Sequence, residues 1–302
     1  MTITCFDIGG SAIKGAVAAD PAALTNLGRV DTPLDDFAAF IAAIAGMLAV
    51  GAADAASAVA ISITGVVDPD TGIIKCANIP CIDGRTLGAD LSASLRRKVL
   101  IANDADCFAL AEAVAGAGRG HRIVFGAILG TGVGGGIVID GRILEGTAGI
   151  AGEWGHGPAA ATSAGDPPIA IPRFACGCGQ VGCVDTIGGA RGMERLHLHL
   201  HGETLRSTTI VANWLAGDAA AKRTIECLVD LLASPLALTV NIVGAGIVPV
   251  GGGLARVPEL IARLDTEVRR RILRRTDRPL VVPGTLTVEP GLIGAAILGL
   301  SA

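Results

Sequence analysis

Two segments of this chain repeat one pattern, and the repeat limits what it can fold into. Residues 2–19 and residues 123–144 each read as a strand, a glycine-rich turn and a second strand. In both, β-branched residues flank the glycines, which is typical of a hairpin with a tight turn. The repeat predicts two structurally related halves.

Strands alternate with helices between and after these hairpins, which predicts an α/β fold. The predicted elements are the helix Phe37–Ala49, the strand Ala58–Thr64, a helix from Leu87, the strand Val99–Ala102, the helix Ala105–Ala115, a loop region Gly146–Gly192, the strand Val248–Leu254, the basic helix Pro258–Arg275, the strand Leu280–Pro283 and the helix Gly291–Leu300. A domain boundary is expected near Ala117–Gly120. The predicted domains are residues 1–118, with a C-terminal helix at 289–302 packing back on them, and residues 119–288 with a metal-binding loop.

Composition excludes several classes of protein. Hydrophobic residues are 51% and charged residues 17% of the chain, too apolar for a disordered protein. The net charge of −4, 3% aromatic residues and the absence of Tyr predict no nucleic-acid partner. The uncharged run from 233 to 255 contains Pro235, Pro249 and three consecutive glycines, so we expect a helix start, a loop and a buried strand rather than a membrane span. No signal peptide is visible, which predicts a cytoplasmic protein.

Three glycine-rich turns follow predicted strands. They are Asp7–Ser11, Gly130–Gly136 and the end of Val248–Leu254. Glycines let backbone N–H groups approach phosphate oxygens closely, and an aspartate beside such a turn can hold a hydrated Mg²⁺. One such turn alone is weak evidence, but three in one chain favour a nucleotide-binding site. None matches a Walker or a dinucleotide-binding motif.

Asn103 and Asp104 stand between a predicted strand and a predicted helix. Such residues are favoured helix caps. A carboxylate at the end of a strand also faces the ligand-binding edge of an α/β sheet, where it can take a proton from a hydroxyl that attacks phosphate. Both interpretations can hold together.

Three of the eight cysteines lie within Cys176–Cys183. With His156 they make a Cys₃His set, which is typical of structural Zn²⁺. Their spacing is unlike that of zinc fingers, so a loop clip is expected. The alternating His197, His199 and His201 are expected on a helix, where they would not converge on a metal.

Together these residues resemble the ROK family of sugar kinases and regulators, within the actin/hexokinase-like (ribonuclease H-like) fold. The resemblance runs nearly end to end. Its motifs are D-I-G-G-S from Asp7, N-D-A from Asn103, G-T-G-V-G-G-G from Gly130, E-W-G-H from Glu153 and C-G-C-G-Q-V-G-C from Cys176. The segments Ala77–Pro80, Leu87–Leu95 and Asn103–Ala113 look most like the family's bacterial N-acetyl-D-glucosamine kinases.

The resemblance implies a two-domain α/β fold with a cleft between the domains, and roles for particular residues. Asp104 would be the base for the sugar 6-hydroxyl. The implied sugar contacts are Gly65, Asn78, Asn103, Asp104, Glu153, His156 and Asp185. ATP and Mg²⁺ would be held by Asp7, Gly9, Gly10, Ser11, Gly130, Thr131, Gly132, Gly252 and Gly253. The implied Zn²⁺ ligands are His156, Cys176, Cys178 and Cys183. Relatives are commonly homodimers.

The sequence departs from the family pattern at three places. Ser11 and Ala12 replace Thr-Lys, with a lysine at Lys14; this variant resembles polyphosphate glucokinases and leaves the donor open. Thr64–Gly65 stands where Pro-Gly is common. Asp185 replaces a glutamate that contacts sugar, so we expect either a sugar contact with shorter reach or a cap on a helix opening at Thr186.

Other functions stay open at this stage. The substrate could be glucose, N-acetylmannosamine or fructose, or the chain could be a catalytically weak sugar-binding ROK protein. ROK repressors carry a DNA-binding segment before the first motif; because five residues precede Phe6 here, we expect a kinase rather than a repressor. A coupled ADP-release assay separates these alternatives.

Overall fold

The computed structural model describes residues 2–51 and 57–301. The chain forms two compact units. Unit 1 comprises Met1–Gly120, Gly136–Ala151 and Leu286–Ala302, and unit 2 comprises His121–Gly135 and Gly152–Thr285. The predicted division at residues 118 and 288 stays a proposal, and its outer ends at Met1 and Ala302 lie outside the described residues.

The helices and strands are numbered in chain order. The strands are β1 (Ile3–Ile8), β2 (Ala12–Asp20), β3 (Ala23–Asp31), β4 (Val59–Ile63), β5 (Val66–Val67), β6 (Ile74–Lys75), β7 (Val99–Asn103), β8 (Ile123–Leu129), β9 (Val133–Ile139), β10 (Arg142–Ile143), β11 (Ser163–Ala164), β12 (Ile169–Ala170), β13 (Val248–Gly251) and β14 (Val281–Pro283). The α-helices are α1 (Phe37–Val50), α2 (Leu87–Leu95), α3 (Asp104–Val114), α4 (Asp185–Gly188), α5 (Ala190–His201), α6 (Ser207–Leu215), α7 (Ala219–Val243), α8 (Pro258–Arg271) and α9 (Pro290–Leu300). Short 3₁₀ turns lie at Pro80–Ile82, Thr147–Gly149 and Gly253–Arg256.

The two large sheets have the same plan. One has the order β3-β2-β1-β4-β7 and the other β10-β9-β8-β13-β14. In the first, β3, β2 and β1 pair antiparallel, and β1, β4 and β7 pair parallel. In the second, β10 pairs antiparallel with β9, and β13 pairs parallel with both β8 and β14. This matching order confirms the two related halves predicted from the repeated hairpins.

The core of unit 1 forms because its central strands are apolar on both faces. All five residues of β4 are buried, as expected for a parallel strand covered on both sides. Helix α9 packs against β1 and α3, and glycines allow the close approach. A Cβ on Gly299 would lie 2.5 Å from Ile3 Cγ1, and one on Gly294 would clash with the Cys107 carbonyl. The close packing of α9 therefore fixes the position of the sheet of unit 1, whose edge carries candidate site residues.

Helix α7 corrects one prediction. The helix does not start near residue 233 but runs from Ala219 through Pro235 to Val243, and β13 follows. It continues through Pro235 because its buried face packs against α5, α6 and α8, and such packing offsets the lost hydrogen bond of a proline. Among the described residues it is the one helix long and apolar enough to cross a membrane. Of its most apolar 18-residue stretch, 56% is buried.

Candidate functional site

In unit 1, three neighbouring parallel strands end at the same edge of the sheet. The register pairs Ile8 of β1 with Ile63 of β4, and Ile63 with Asn103 of β7. Turns begin after the first two of these strands at Gly9 and Thr64, and helix α3 begins after the third at Asp104. Candidate residues from three separate motifs are therefore brought to one edge, where ligands bind in open α/β sheets.

The Asn103–Asp104 pair joins β7 to α3. Asn103 Oδ1 accepts a hydrogen bond of 2.8 Å from the backbone N–H of Ala105, so the predicted cap is confirmed. The helix begins one residue earlier than expected, at Asp104, whose side chain is exposed. Asn103 Nδ2 also donates to the Gly65 carbonyl at 2.8 Å. One amide thus ties the turn after β4 to the start of α3.

Gly65 needs to be glycine. Its φ is +118°, and a Cβ there would lie 2.8 Å from the Lys75 carbonyl oxygen. Thr64, the residue before it, accepts from Asn78 Nδ2 at 3.3 Å. Asn78 is exposed and also backs onto the first glycine turn, since a Cβ on Gly10 would lie 3.2 Å from the Asn78 carbonyl oxygen. Gly65, Asn78 and Gly10 therefore line one surface of unit 1.

The turn at Asp7–Ser11 is tightened by backbone and hydroxyl contacts. Gly9 donates its N–H to the Ala12 carbonyl at 3.0 Å, and its own carbonyl accepts from Thr32 Oγ1 at 2.7 Å. Asp7 Oδ1 accepts from Ser62 Oγ of β4 at 2.7 Å. Burial raises the pKa of Asp7, while the Ser62 hydroxyl and the Lys14 cation oppose that rise. Ser11 is exposed at the tip.

Sequence reasoning missed the partner of Lys14. Lys14 lies directly across from Asp7 in the hairpin, and its Nζ donates to both carboxylate oxygens of Glu289 at 2.9 Å. Glu289 precedes α9 and has a φ of +46°. Nothing in the sequence signals a partner 275 residues away. Sequence reasoning also missed Ser62, because a serine inside an apolar strand reads as an ordinary small residue.

The second glycine turn, which lies in unit 2 up to Gly135, is in close contact with the third. The turn Gly130–Gly136 leads from β8 into β9, and Thr131 is exposed at its tip. Gly252 follows β13 with a φ of +87°, and a Cβ there would lie 2.5 Å from the Leu129 carbonyl carbon and 2.7 Å from the Gly130 nitrogen. Gly252 and Gly253 are exposed beside the turn. The structure thus brings these predicted phosphate-binding residues together.

The predicted metal ligands converge. One donor atom each from His156, Cys176, Cys178 and Cys183 lies within 4.8 Å of all the others. His156 Nδ1 is 3.6 Å from Cys176 Sγ, and the sulfurs of Cys178 and Cys183 are 3.6 Å apart. Tetrahedral Zn²⁺ holds such donors about 3.3–3.8 Å from one another. The donor set therefore fits Zn²⁺.

The thiols of the cluster differ in acidity. The backbone N–H of Gln180 lowers the pKa of the exposed Cys178 thiol to about 7, whereas burial raises the pKa of Cys176 to about 11. A thiolate is the form that binds a metal, and Cys178 reaches that form more readily than Cys176 does. The three other histidines of interest lie on helix α5, as predicted, and His197 Nδ1 is paired with Thr224 Oγ1 at 2.8 Å. Among the described residues, His156 and the three cysteines are the one such cluster.

Glu153 and His156 lie on the same loop, and the Cys/His cluster lies on one side of His156. His156 Nε2 lies 3.8 Å from Glu153 Oε2, while its Nδ1 faces Cys176. Burial raises the pKa of Glu153, opposed by His156. Trp154 anchors the loop because its Nε1 donates to the Gly134 carbonyl at 2.7 Å. The loop therefore offers a carboxyl group and an imidazole nitrogen directed away from the metal side.

Asp185 is not a helix cap. Helix α4 begins at Asp185 itself, its N-cap is Val184, and no side chain caps it. The carboxylate instead accepts from the Val133 N–H, with Oδ1 at 2.7 Å from the nitrogen. The cap prediction is wrong because the side chain turns toward the glycine turn rather than along its own helix. The prediction of a sugar contact stays a prediction.

A family model, curated relatives and a solved structure all match this chain over nearly its full length. The ROK family model matches residues 3–301. The N-acetyl-D-glucosamine kinase of Pectobacterium atrosepticum is 36% identical over 299 residues, which is 98% of each chain. The N-acetylgalactosamine kinase AgaK of a Shewanella species is also 36% identical, over 97% of this chain and 95% of that one. A crystal structure of the ROK hexokinase from Thermus thermophilus superposes with a TM-score of 0.82 at 29% identity, covering 98% of this chain and 97% of that chain.

Proposed function

Since this chain belongs to the ROK family and is a sugar kinase, we propose that it transfers the γ-phosphoryl group of ATP to the 6-hydroxyl of N-acetyl-D-glucosamine, with Asp104 as the general base. The observation that carries the proposal is the position of Asp104. Its exposed carboxylate stands at the end of a parallel strand, in the first turn of α3, beside the Gly65 turn. A carboxylate so placed can accept a hydroxyl proton as the oxygen attacks phosphorus.

In unit 1, we assign the acceptor side and part of the donor side. Asn103, Asn78 and Gly65 surround the turn next to Asp104 and are proposed to contact sugar hydroxyls. Asn103 retains one amide N–H beyond the bond to Gly65. Asp7, Gly9, Gly10 and Ser11 are proposed to bind phosphate, with the Asp7 carboxylate holding the Mg²⁺ that accompanies ATP. Mg²⁺ would neutralise the charge of the transferred group.

In unit 2, backbone and loop groups are assigned. Gly130, Thr131 and Gly132 are proposed to hold donor phosphates through backbone N–H groups, and Gly252 and Gly253 to lie near the adenosine. Glu153, His156 and Asp185 are the proposed sugar contacts of this unit. Zn²⁺ held by His156 and the three cysteines would act structurally, because it would fix the imidazole so that Nε2 stays directed toward Glu153.

The sugar itself is the finer part of the proposal. The relatives named for N-acetylglucosamine and for N-acetylgalactosamine are equally identical to this chain. These sugars differ only in the configuration at carbon 4, and both carry a 6-hydroxyl. We favour N-acetylglucosamine because of the segments Ala77–Pro80, Leu87–Leu95 and Asn103–Ala113. We also propose that the protein is cytoplasmic and forms a homodimer. Sedimentation analysis would test the homodimer.

The test is a coupled ADP-release assay with MgATP and a panel of sugars. The panel contains N-acetylglucosamine, N-acetylgalactosamine, N-acetylmannosamine, glucose and fructose, and polyphosphate replaces ATP in a parallel series. We expect the highest kcat/KM for N-acetylglucosamine with ATP, and 6-phosphate as the product by NMR. A higher kcat/KM for another sugar overturns the substrate assignment, and a product phosphorylated at another position overturns the assignment of the 6-hydroxyl.

A further inference from the structure

Three predicted parts of unit 2 meet at Asp185. Its backbone N–H donates to the Gly155 carbonyl at 2.8 Å, which ties it to the loop of Glu153 and His156. Its Oδ1 accepts from the Val133 N–H at 2.7 Å, in the glycine turn. Its Oδ2 lies 3.9 Å from Cys176 Sγ, in the Cys/His cluster. One residue thus touches the loop, the turn and the cluster.

The glycine turn rests on the segment that Asp185 opens. The N–H of Ala190 donates to the Gly130 carbonyl at 2.8 Å, and the N–H of Arg191 donates to the Thr131 carbonyl at 3.3 Å. A Cβ on Gly132 would clash with Asp185 Oδ1, and a Cβ on Gly189 would lie 2.6 Å from the Thr131 carbonyl oxygen. The turn therefore cannot shift unless this segment shifts with it.

The other end of the segment is locked to a cluster ligand. The carbonyl of Cys183 accepts from the N–H of Thr186 at 3.1 Å and from Thr186 Oγ1 at 2.7 Å. Cys183 and Thr186 are both buried. A metal that fixes the Cys183 sulfur therefore also fixes the first turn of α4, where Asp185 lies.

We propose that Asp185 is a positioning residue that couples the Cys/His cluster to the glycine turn, so that Zn²⁺ in the cluster raises the affinity of the protein for the phosphate donor. The metal removes freedom from the segment before the donor arrives, so the donor spends less binding free energy on ordering the turn. The inference rests on the proposed function only in taking the glycine turn as a donor-phosphate site. It predicts that removing the metal weakens nucleotide binding as well as sugar binding.

The coupling is measured without turnover. MgADP affinity is determined by calorimetry, without sugar, for protein with Zn²⁺ and protein stripped by a chelator. We expect Zn²⁺ to tighten MgADP binding about tenfold, within the usual range of coupling between two sites. Because coupling is reciprocal, MgADP should tighten Zn²⁺ binding by the same factor in competition with a chromophoric chelator.

Variants of Asp185 test whether its carboxylate carries the coupling between the Zn²⁺ site and the donor site. Asp185→Ala should bind MgADP more weakly and lower the coupling factor, while the backbone bonds from Ala190 and Arg191 to the turn remain. Asp185→Asn keeps an oxygen for the Val133 N–H and should retain most of the coupling. The matched control is Asp218→Ala, which removes a 2.7 Å bond from a carboxylate to the Ala221 N–H at the start of α7. This control should lower stability and leave the coupling unchanged.

The outcomes separate this inference from the proposed function. A protein that phosphorylates sugar but binds MgADP equally with and without Zn²⁺ overturns the inference and leaves the function intact. Wild-type coupling in Asp185→Ala also overturns it. A protein that binds Zn²⁺ but no nucleotide overturns both. If the stripped protein unfolds, the Zn²⁺-loaded variants decide, since Asp185→Ala must then bind MgADP more weakly than Asp218→Ala does.

Discussion

The two glycine turns sit on matching sheets but are supported in different ways. The turn at Asp7–Ser11 follows β1, and the turn at Gly130–Gly136 follows β8, the strand in the corresponding place of the second sheet. The first turn carries its own carboxylate, Asp7, which is held by Ser62 of the neighbouring strand. The second carries no charged side chain and is held by a carboxylate 52 residues away, Asp185.

A glycine lies against the carboxylate in each case. A Cβ on Gly291, at the start of α9, would clash with Asp7, and a Cβ on Gly132 would clash with Asp185. In unit 1 the glycine belongs to the supporting helix and the carboxylate to the strand. In unit 2 the glycine belongs to the turn and the carboxylate to the support. The first turn therefore presents a carboxylate of its own, whereas the second presents backbone groups and the Thr131 hydroxyl.

The largest predicted effect tests whether unit 1 supplies the chemistry. Asp104→Asn should lower kcat by roughly 10²–10⁴, because an amide cannot accept the proton. Sugar binding, measured by calorimetry, should survive within about tenfold because the amide keeps the size and one oxygen of the carboxylate. Asp36→Asn is the matched control, since Asp36 is also an exposed aspartate at the start of a helix of unit 1. If Asp104→Asn keeps a tenth of the wild-type kcat, Asp104 is not the base.

From the sequence, the strands and motifs could be predicted more completely than the contacts that hold the candidate site residues in place. Strand–turn–strand patterns, the α/β alternation and the family motifs depend on residues close in sequence, and they predicted β1, β2, β8, β9 and the cluster. The Lys14–Glu289 and Asp185–Val133 contacts join residues 275 and 52 positions apart. They depend on tertiary packing, for which a single sequence contains no local pattern. The cap prediction for Asp185 failed for the same reason, since a local rule was applied to a residue with a distant partner.

The second prediction compares the two glycine turns directly. Gly132→Ala should lower the free energy of unfolding by about 1–3 kcal/mol, because its methyl group meets Asp185 in a packed site. Gly9→Ala should leave it unchanged or slightly raised, because a Cβ there meets nothing within 4 Å and alanine restricts the unfolded chain. Urea unfolding of both variants measures the difference. Equal losses in both would show that the turns are supported alike.

A smaller effect is expected from the bond that joins two motifs of unit 1. Asn103→Ser keeps a helix cap but removes the bond from Nδ2 to the Gly65 carbonyl. We expect the free energy of unfolding to fall by about 0.5–1.5 kcal/mol, the usual net value of one hydrogen bond. Asp218→Ser in unit 2 exchanges one good cap for another and should change little. If both variants lose the same amount, the Gly65 bond contributes nothing.

The smallest effect on stability, and the most specific, concerns the charge around Asp7. Lys14 and Glu289 are 36% and 32% exposed, so breaking their ion pair should cost only about 0–1 kcal/mol of stability. The pH dependence is more informative. Burial raises the pKa of Asp7, Lys14 lowers it and Glu289 raises it. Lys14→Met should therefore raise the pKa of Asp7 further, and Glu289→Gln should lower it.

These opposite shifts separate an electrostatic role from a structural one, because both variants break the same ion pair. If Asp7 must be ionised to hold Mg²⁺ with the donor, the acid limb of kcat/KM for MgATP moves to higher pH in Lys14→Met and to lower pH in Glu289→Gln. The measurement is a pH–rate profile for each variant at saturating sugar. Shifts in the same direction, or no shift in either, would mean that the ionisation of Asp7 does not control donor binding. The first turn would then act through its backbone, as we propose for the second, and the contrast between the two turns would disappear.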